Sequence, residues 1–253
     1  MKMSLILGTA RDSYGSLQSD ADTHLLQYTL DSLEKQTFRD FELVVVDTLH
    51  ALRDIRSEIE GLGKWTFPIK VTKPTSWWLE VGGGALQNAF NEGARISSGD
   101  HLMFCGDCCA FDPQILETCN SYIDRGFSPH LLCVYLRRDT LIGMTPETPL
   151  RSTWQEAQEN GSWWTDKEMY QRDSRWRFLV PEKQFLGPDA CPWTWFFGYG
   201  FVSRNNFWTV NGWDENFDGE KSLGDCELGS RLMMAGLWNT CITSDLYVYE
   251  HAH

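Results

Sequence analysis

The stretch FELVVVD, residues 41–47, decides the fold. Its apolar run is continuous and rich in β-branched residues, which is typical of a strand buried on both faces in a parallel sheet. We therefore predict a strand over Phe41–Val46 that ends at Asp47. Helix-like segments lie on either side of it along the chain.

The same alternation of strand-like and helix-like segments extends outward from this stretch. Further strands are predicted at Met3–Leu7, Ile69–Val71, His101–Cys105 and His130–Leu136. Helices are predicted at Thr23–Gln36, Ala51–Glu60, 82–96 and Pro113–Tyr122. This βαβαβ order indicates an α/β fold with a mostly parallel central sheet and helices on both faces.

Residues 140–192 break the alternation. They are rich in proline and tryptophan and show no periodicity, as functional loops or lids often do. After them we predict an aromatic strand at Trp193–Val202, a helix at Asp225–Met234 and a last strand at Leu246–Tyr249.

Length and charge limit the function. The 253 residues suit one large domain or two small ones, and the formal charge of −13 counts against passive binding of nucleic acid. No apolar run approaches the ~20 residues that span a membrane, and the apolar start is too short for a signal peptide. We therefore expect a cytoplasmic protein whose eight cysteines are reduced thiols rather than disulfides or zinc ligands.

Polar residues follow the predicted strands at the point where each ends. Gly8 to Asp12 follow the first strand, Asp47 the second, and Asp107 the strand HLMFC. Ligands of open α/β sheets bind beyond the carboxyl ends of the strands, so these residues are candidates for a site. The alternative is that Asp47 and Asp107 only cap the helices that follow.

A second group of candidates lies near the end of the chain. Glu220, Asp225 and Glu227 are close together after a glycine-rich aromatic segment, which suggests carboxylates beside a binding surface. An acidic pair in the first turn of a helix can also serve only the helix dipole. His251 and His253 could bind a divalent metal or belong to a solvated tail.

Two phosphate-binding motifs are absent or weak. No sequence fits GxxxxGK[ST], which excludes a P-loop. Gly82–Gly84 is not GxGxxG and follows no clear strand, so it indicates a flexible loop, a lid or a close backbone approach to a ligand.

Three segments occur in a recognisable order along the chain: SLILGTARD with LLQYTLDSLEKQTFRDFELVVVD (4–47), NEGARISSGDHLMFCGD (91–107) and VNGWDENFDGEKSLGDCELGSRLMMAG (210–236). Together they resemble family-2 glycosyltransferases of the GT-A fold. The last resembles a galactosyltransferase-like C-terminal motif. The resemblance implies a single GT-A domain over 1–253, with a nucleotide-sugar-binding half (1–136) and an acceptor-binding, catalytic half (137–253).

The resemblance also implies roles for individual residues. Asp225 would be the general base of an inverting transfer from a nucleotide-sugar, expected to be a UDP-sugar, to an acceptor hydroxyl. The residues implied at the nucleotide are Thr9, Ala10, Arg11, Asp47 (on the base), Asn91 and Asp107. Trp213, Glu227 and Trp195 would border the acceptor. Asp107, His251 and His253 would hold Mn²⁺ or Mg²⁺.

The chain departs from the family pattern at both acidic motifs. The DXD motif reads Gly106-Asp107-Cys108, and if Asp107 is its first acid then Cys109 replaces the second. The ED pair reads Gly224-Asp225, which keeps the presumed base. A non-catalytic nucleotide-sugar or glycan-binding module on a decayed transferase fold is therefore the alternative. A nucleotidyltransferase is disfavoured because GTARDS has only one glycine.

The acceptor would lie near residues 150–195, where many of the 12 tryptophans fall. A glycan could pack on the pairs Trp163–Trp164 and Trp193–Trp195, and the alternative is that these tryptophans pack only in a core or a lid. An arginine group in the same region could meet a phosphorylated acceptor, either lipid-linked or a modified nucleic acid of the phage type. Its members are Arg137, Arg138, Arg151, Arg172, Arg175 and Arg177.

Overall fold

The structure, a computed structural model, describes residues 2–9, 21–51, 53–75, 86–107, 109–125, 131–138, 171–172, 185–186, 201–219, 224–237 and 240–251. Within strands 131–138, 171–172, 185–186 and 240–251, it describes the backbone alone.

The central sheet has five strands in the order β3-β2-β1-β4-β9. Its strands are β1 (Met3–Thr9), β2 (Phe41–Asp47), β3 (Ile69–Thr72), β4 (His101–Gly106) and β9 (Phe201–Ser203). The first four are parallel to one another, and β9 runs antiparallel to β4. The predicted mostly parallel α/β sheet is confirmed, and its boundaries agree with the prediction to within two residues for β1 to β4.

Helices cover both faces of this sheet. On one face pack α1 (Ala21–Glu34), α2 (Ile55–Leu62) and α4 (Ile115–Asp124). On the other face pack α3 (Leu86–Ile96), α5 (Arg204–Thr209) and α6 (Gly224–Met234). Strand β2 contributes side chains to the apolar cores on both faces of the sheet. Leu43 and Val45 face the first group of helices, while Val44 and Val46 face the second.

A second sheet lies beside the first and was not expected. It has the order β5-β10-β6-β7, and β8 pairs with β10. Its strands are β5 (Cys109–Phe111), β6 (Leu131–Arg138), β7 (Gln171–Arg172), β8 (Phe185–Leu186) and β10 (Thr240–His251). The predicted strand at His130–Leu136 therefore exists but joins this sheet, since its parallel partner is the distant β10.

Some elements escaped prediction because they are short. Strand β5 has three residues, helix α5 has six, and a 3₁₀ turn covers Glu215–Phe217. The predicted strand at Trp193–Val202 appears only from Phe201 onward, and residues 191–200 lie outside the described part. Segments of this length carry too few residues to show a period.

Candidate functional site at the carboxyl edge of the sheet

The carboxyl ends of three neighbouring strands meet at one edge of the sheet. Thr9 pairs with Asp47 in the register of β1 and β2, and Gly8 pairs with Gly106 in that of β1 and β4. Asp107 follows Gly106 directly. Three of the predicted nucleotide-binding residues, Thr9, Asp47 and Asp107, are therefore brought together.

Arg53, which the sequence analysis did not name, joins this group. Its guanidinium lies against the Asp47 carboxylate, with Nη2 at 2.8 Å and Nε at 3.1 Å from Oδ1. The same Nη2 donates to Thr9 Oγ1 at 2.7 Å. We call Thr9, Asp47, Arg53 and Asp107 the strand-end cluster.

Thr9 connects Arg53 to Asp107. Its hydroxyl donates to Asp107 Oδ2 at 2.6 Å, and Thr29 Oγ1 donates to the Asp107 carbonyl at 3.2 Å. Thr48, which stands where the family pattern often has a second acid, donates through both its N–H and its hydroxyl to the Thr9 carbonyl. These bonds tie the ends of β1 and β2 to Asp107.

Arg53 could have been suspected from its place in the sequence. It lies six residues after a strand-terminal acid and directly before Asp54, whose side chain caps α2. Spacing of this kind is too variable to predict an ion pair, since the loop between β2 and α2 decides where the guanidinium goes.

The metal ligands implied by the resemblance are only partly described. Asp107 is placed, while His251 is described by its backbone, paired with Arg138 in β10 and β6, and His253 lies outside the described residues. Cys109, in the place of the second DXD acid, is fully buried in the core. Among the side chains that the structure describes, no three of His, Cys, Asp or Glu converge as a metal site.

A second polar centre lies at the start of α3. The Asp218 carboxylate accepts from the backbone N–H groups of Gln87 at 2.8 Å and Asn88 at 3.1 Å. Burial leaves Asp218 only 3% exposed and raises its pKa to about 6, although the two N–H groups oppose the shift. The acid thus joins the segment before α6 to the N-terminus of α3, where an anion is favoured.

Asn91 stands on α3 near this centre, and its amide holds the turn that follows α5. Its Nδ2 donates to the Trp213 carbonyl and to Glu215 Oε1, and its Oδ1 accepts from the Trp213 N–H. Gly212, with φ of 66°, has its missing Cβ directed at Asn91 Oδ1, so a larger residue would be strained and crowded. The proposed contact of Asn91 with a nucleotide stays a prediction, since these bonds give the amide a structural role.

Trp213 lies mostly in the core. Its ring is 5% exposed and packs 5.3 Å from Phe90 and 5.5 Å from Phe104, measured between ring centroids. The acceptor role of Trp213 stays a prediction, while that of Trp195 falls outside the described residues.

Asp225 stands in the first turn of α6, and the residue before it packs against Gln87. A Cβ on Gly224 would lie 2.4 Å from Gln87 Nε2, so a larger residue at this position would require the Gln87 side chain to move. Asp225 itself is partly exposed.

Glu227, the other acid in this turn, pairs with Arg231 four residues later. Arg231 Nη2 lies 2.5 Å from Glu227 Oε2, and its Nη1 donates to the Val210 carbonyl. The bond from Arg231 to the Val210 carbonyl holds α6 to the end of α5. Ala10 and Arg11, the remaining predicted nucleotide-binding residues, lie outside the described part.

Solved structures support the fold. The chain is similar to S. aureus TarS 1–349 in complex with UDP-GlcNAc, with a TM-score of 0.63 and 15% identity. The similarity covers 99% of this chain and 59% of the TarS chain. The chain is also similar to TarS 1–349 in complex with UDP, over 98% of this chain and 60% of the other, with a TM-score of 0.57 and 17% identity. The chain thus spans about 60% of the length of these proteins.

Sequence comparisons add nothing to this. No protein-family model and no curated protein sequence matches the chain. In the described part, no helix has both the length and the apolar character to cross a membrane. The similarity at this low identity establishes the fold, and the chain has the mostly parallel, Rossmann-like GT-A fold.

Proposed function

We propose that the chain is an inverting glycosyltransferase that moves a sugar from a UDP-sugar to an acceptor hydroxyl. The observation that carries the proposal is the strand-end cluster, which places Thr9, Asp47 and Asp107 together at the carboxyl edge of a GT-A sheet. In open α/β sheets this edge is where ligands bind. That a protein of similar structure is in complex with UDP-GlcNAc supports the choice of donor.

The donor would lie across the cluster. Asp47 would accept a hydrogen bond from the base, and Thr9, Ala10 and Arg11 would lie against the nucleotide. Asp107 would bind the ribose side of the diphosphate. The close contacts among Thr9, Asp47 and Asp107 support a single continuous site for these parts.

Asp225 would act as the general base. It would take the proton from the acceptor hydroxyl as that oxygen attacks the anomeric carbon and the bond from that carbon to the diphosphate oxygen breaks. One displacement of this kind inverts the anomeric centre. The place of Asp225 in the first turn of α6, partly exposed, supports this assignment.

A divalent cation, Mn²⁺ or Mg²⁺, is the cofactor that the resemblance implies. The carboxylate of Asp107 is an oxygen donor of the kind these ions prefer, and His251 and His253 are the other proposed ligands. The buried Cys109 thiol does not fit such a site. A bound cation would stabilise the negative charge that develops on the leaving diphosphate.

The acceptor would be a glycan or a lipid-linked hydroxyl beside Glu227, Trp213 and Trp195. A modified nucleic acid is a lower-ranked acceptor, suggested by the arginine group of residues 137–177. A gel shift with duplex DNA at low salt tests that variant, since a contact through arginines must weaken as salt rises.

A thermal-shift screen of nucleotide-sugars tests the proposed donor, with UDP-GlcNAc first, each with and without Mn²⁺. Stabilisation by one UDP-sugar and release of UDP in the presence of an acceptor would support the proposal. Absence of stabilisation by every nucleotide-sugar would refute it.

Asp225→Asn tests the mechanism. We expect transfer to fall by about 10²- to 10⁴-fold, because the acceptor oxygen loses its proton acceptor, while UDP binding stays within about twofold. Asp124→Asn, an exposed carboxylate at the end of α4, is the control and should keep full activity. Turnover of Asp225→Asn at the wild-type rate would remove Asp225 from this role.

A non-catalytic binding module is the second candidate. The reason to keep it is the thinned DXD motif, in which Cys109 is buried and Asp107 is the one acid present. This candidate predicts stabilisation by a UDP-sugar with neither transfer nor hydrolysis in the presence of Mn²⁺.

A further inference from the structure

Arg53 lies at the centre of the strand-end cluster, yet the proposed function gives it no part. Its side chain is 17% exposed and contacts both Asp47 and Thr9. Arg53 lies in the segment between β2 and α2. It contacts Asp47, at the end of β2, directly, and it is linked through Thr9 to Asp107, which follows β4. A residue in this position can orient both the side chain that binds the base and the side chain that lies at the diphosphate of one nucleotide.

The direction of the hydrogen bonds through Thr9 follows from Arg53. A guanidinium only donates, so Thr9 Oγ1 accepts from Arg53 Nη2. The single hydroxyl proton of Thr9 is therefore directed to Asp107 Oδ2, 2.6 Å away. One guanidinium thus balances Asp47 by contact and orients the hydroxyl that binds Asp107.

The two oxygens of Asp47 are used unequally. Oδ1 accepts from the Leu49 N–H at 3.0 Å and from Arg53 Nε and Nη2. From the residues that the structure describes, Oδ2 receives only the 3.2 Å contact of Arg53 Nε, a proton that Oδ1 shares. Arg53 and Leu49 therefore saturate one oxygen and leave acceptor capacity on the other.

We propose that Arg53 is a positioning residue of the donor site. It holds Asp47 so that Oδ2 can accept an N–H of a pyrimidine base, and it orients Thr9 toward Asp107 on the diphosphate side. This inference rests on the proposed function, because it assigns Arg53 to the same nucleotide site. A lysine cannot reproduce it, since an ammonium lacks the planar fork that meets a carboxylate and a hydroxyl together.

The experiment is titration calorimetry of UDP and CDP with wild type, Arg53→Ala, Arg53→Lys, Thr9→Val and Arg56→Ala. Uracil presents an N3–H donor, whereas cytosine has an acceptor at that atom. We expect Arg53→Ala to weaken UDP binding about tenfold or more and CDP binding less, so that the preference for UDP shrinks. Arg53→Lys should lie between wild type and Arg53→Ala.

Two variants separate the parts of the argument. Thr9→Val keeps the pair of Arg53 and Asp47, so it should weaken UDP and CDP equally and keep the preference. Arg56, exposed in the first turn of α2 three residues after Arg53, is the matched control, and Arg56→Ala should bind as wild type does. Thermal unfolding of each variant shows whether it is folded, and Arg53→Lys carries the test if Arg53→Ala is not.

The outcomes distinguish this inference from the proposed function. If wild type binds neither nucleotide, the proposed function is overturned and this inference with it. If wild type prefers UDP and the folded Arg53 variants keep both the affinity and the preference, only the role of Arg53 is overturned. An equal loss of UDP and CDP affinity in these variants also overturns it, because a structural role would act in that way.

Discussion

Strand β2 carries one acid near each end, and the cations and hydrogen-bond donors around these two carboxylates differ. Glu42, at the amino end, is fully buried and accepts from Ser4 Oγ at 2.7 Å and from the Ser98 N–H at 2.5 Å. Lys2 and Lys70 place their ammonium groups 3.2 and 3.0 Å from its Oε2. Asp47, at the carboxyl end, is as deeply buried but is paired with one cation, Arg53, among the side chains that the structure describes.

The balance of charge differs accordingly. At the amino edge one carboxylate faces two ammonium groups, and the hydrogen bonds and ion pairs hold the pKa of Glu42 near 2 despite its burial. At the carboxyl edge, among the residues that the structure describes, Asp47 contacts the Arg53 guanidinium, which also lies 4.0 Å from Glu58, and Asp107 accepts from the Thr9 hydroxyl. The Glu42 carboxylate is thus matched by two cations, whereas Asp47 Oδ2 has only the shared Arg53 Nε contact within the described part, which leaves it able to accept from a ligand.

The largest effect is expected at the amino edge. Glu42→Ala should lower the free energy of unfolding by about 4 kcal/mol, because it leaves the Ser98 N–H and the Ser4 hydroxyl buried without their acceptor and two cations without their partner. Urea unfolding at pH 7 measures the loss. Glu60→Ala, at an exposed position of α2, is the control and should change stability by less than about 0.5 kcal/mol.

The difference between wild type and Glu42→Ala should depend on pH. Since folding lowers the pKa of Glu42 from 4.5 to about 2, its contribution is present above pH 4.5 and is lost as the pH falls toward 2. The two proteins should therefore converge in acid. A constant difference from pH 7 to pH 2 would mean that the charge of Glu42 is not what stabilises the amino edge.

Asp218, beside the N-terminus of α3, should give the opposite pH dependence. Folding raises its pKa from 3.8 to about 6, so the folded protein binds the proton more tightly than the unfolded chain does. The contribution of this group to stability falls as the pH rises from about 4 to 6, by about 3 kcal/mol at most. Urea unfolding of Asp218→Asn across this range should lack that fall, and an unchanged slope would contradict the assignment.

The smallest effect on folding is expected at the carboxyl edge, where a substitution should weaken nucleotide binding more than it destabilises the fold. Asp47→Asn should weaken UDP binding about tenfold, because the base loses a charged acceptor, and should destabilise the fold much less than Glu42→Ala does. Calorimetry and thermal unfolding measure the two quantities. If Asp47→Asn bound UDP normally but unfolded as easily as Glu42→Ala, the contrast between the two ends of β2 would be wrong.

The elements that the sequence predicts well are those with a strong local pattern. The apolar runs of β1, β2 and β4 and their terminal residues Thr9, Asp47 and Asp107 were found in this way, because a buried parallel strand is continuous in sequence. The start of α6 with Asp225 was predicted to within one residue for the same kind of reason.

Contacts between distant segments could not be predicted from such patterns. Arg53, Gln87 and Asp218 act through partners on other elements, at separations from 6 residues for Arg53 and Asp47 to 131 for Gln87 and Asp218. The second sheet depends likewise on the pairing of β6 with β10, more than a hundred positions apart. Periodicity reports which side of an element is buried, not which element covers it.

The sequence by itself determined the α/β class, the strands of the central sheet and the acids at their ends, because hydrophobic periodicity and chain order suffice for these. Only the tertiary structure decided that Glu42 is enclosed by two lysines and that Asp47 shares Arg53 with the Thr9–Asp107 pair. The physical reason is that the state of a buried carboxylate depends on the donors and cations that surround it in space. Both acids lie in the same seven residues, FELVVVD, and the strands and loops packed around each end make one structural and the other a candidate ligand.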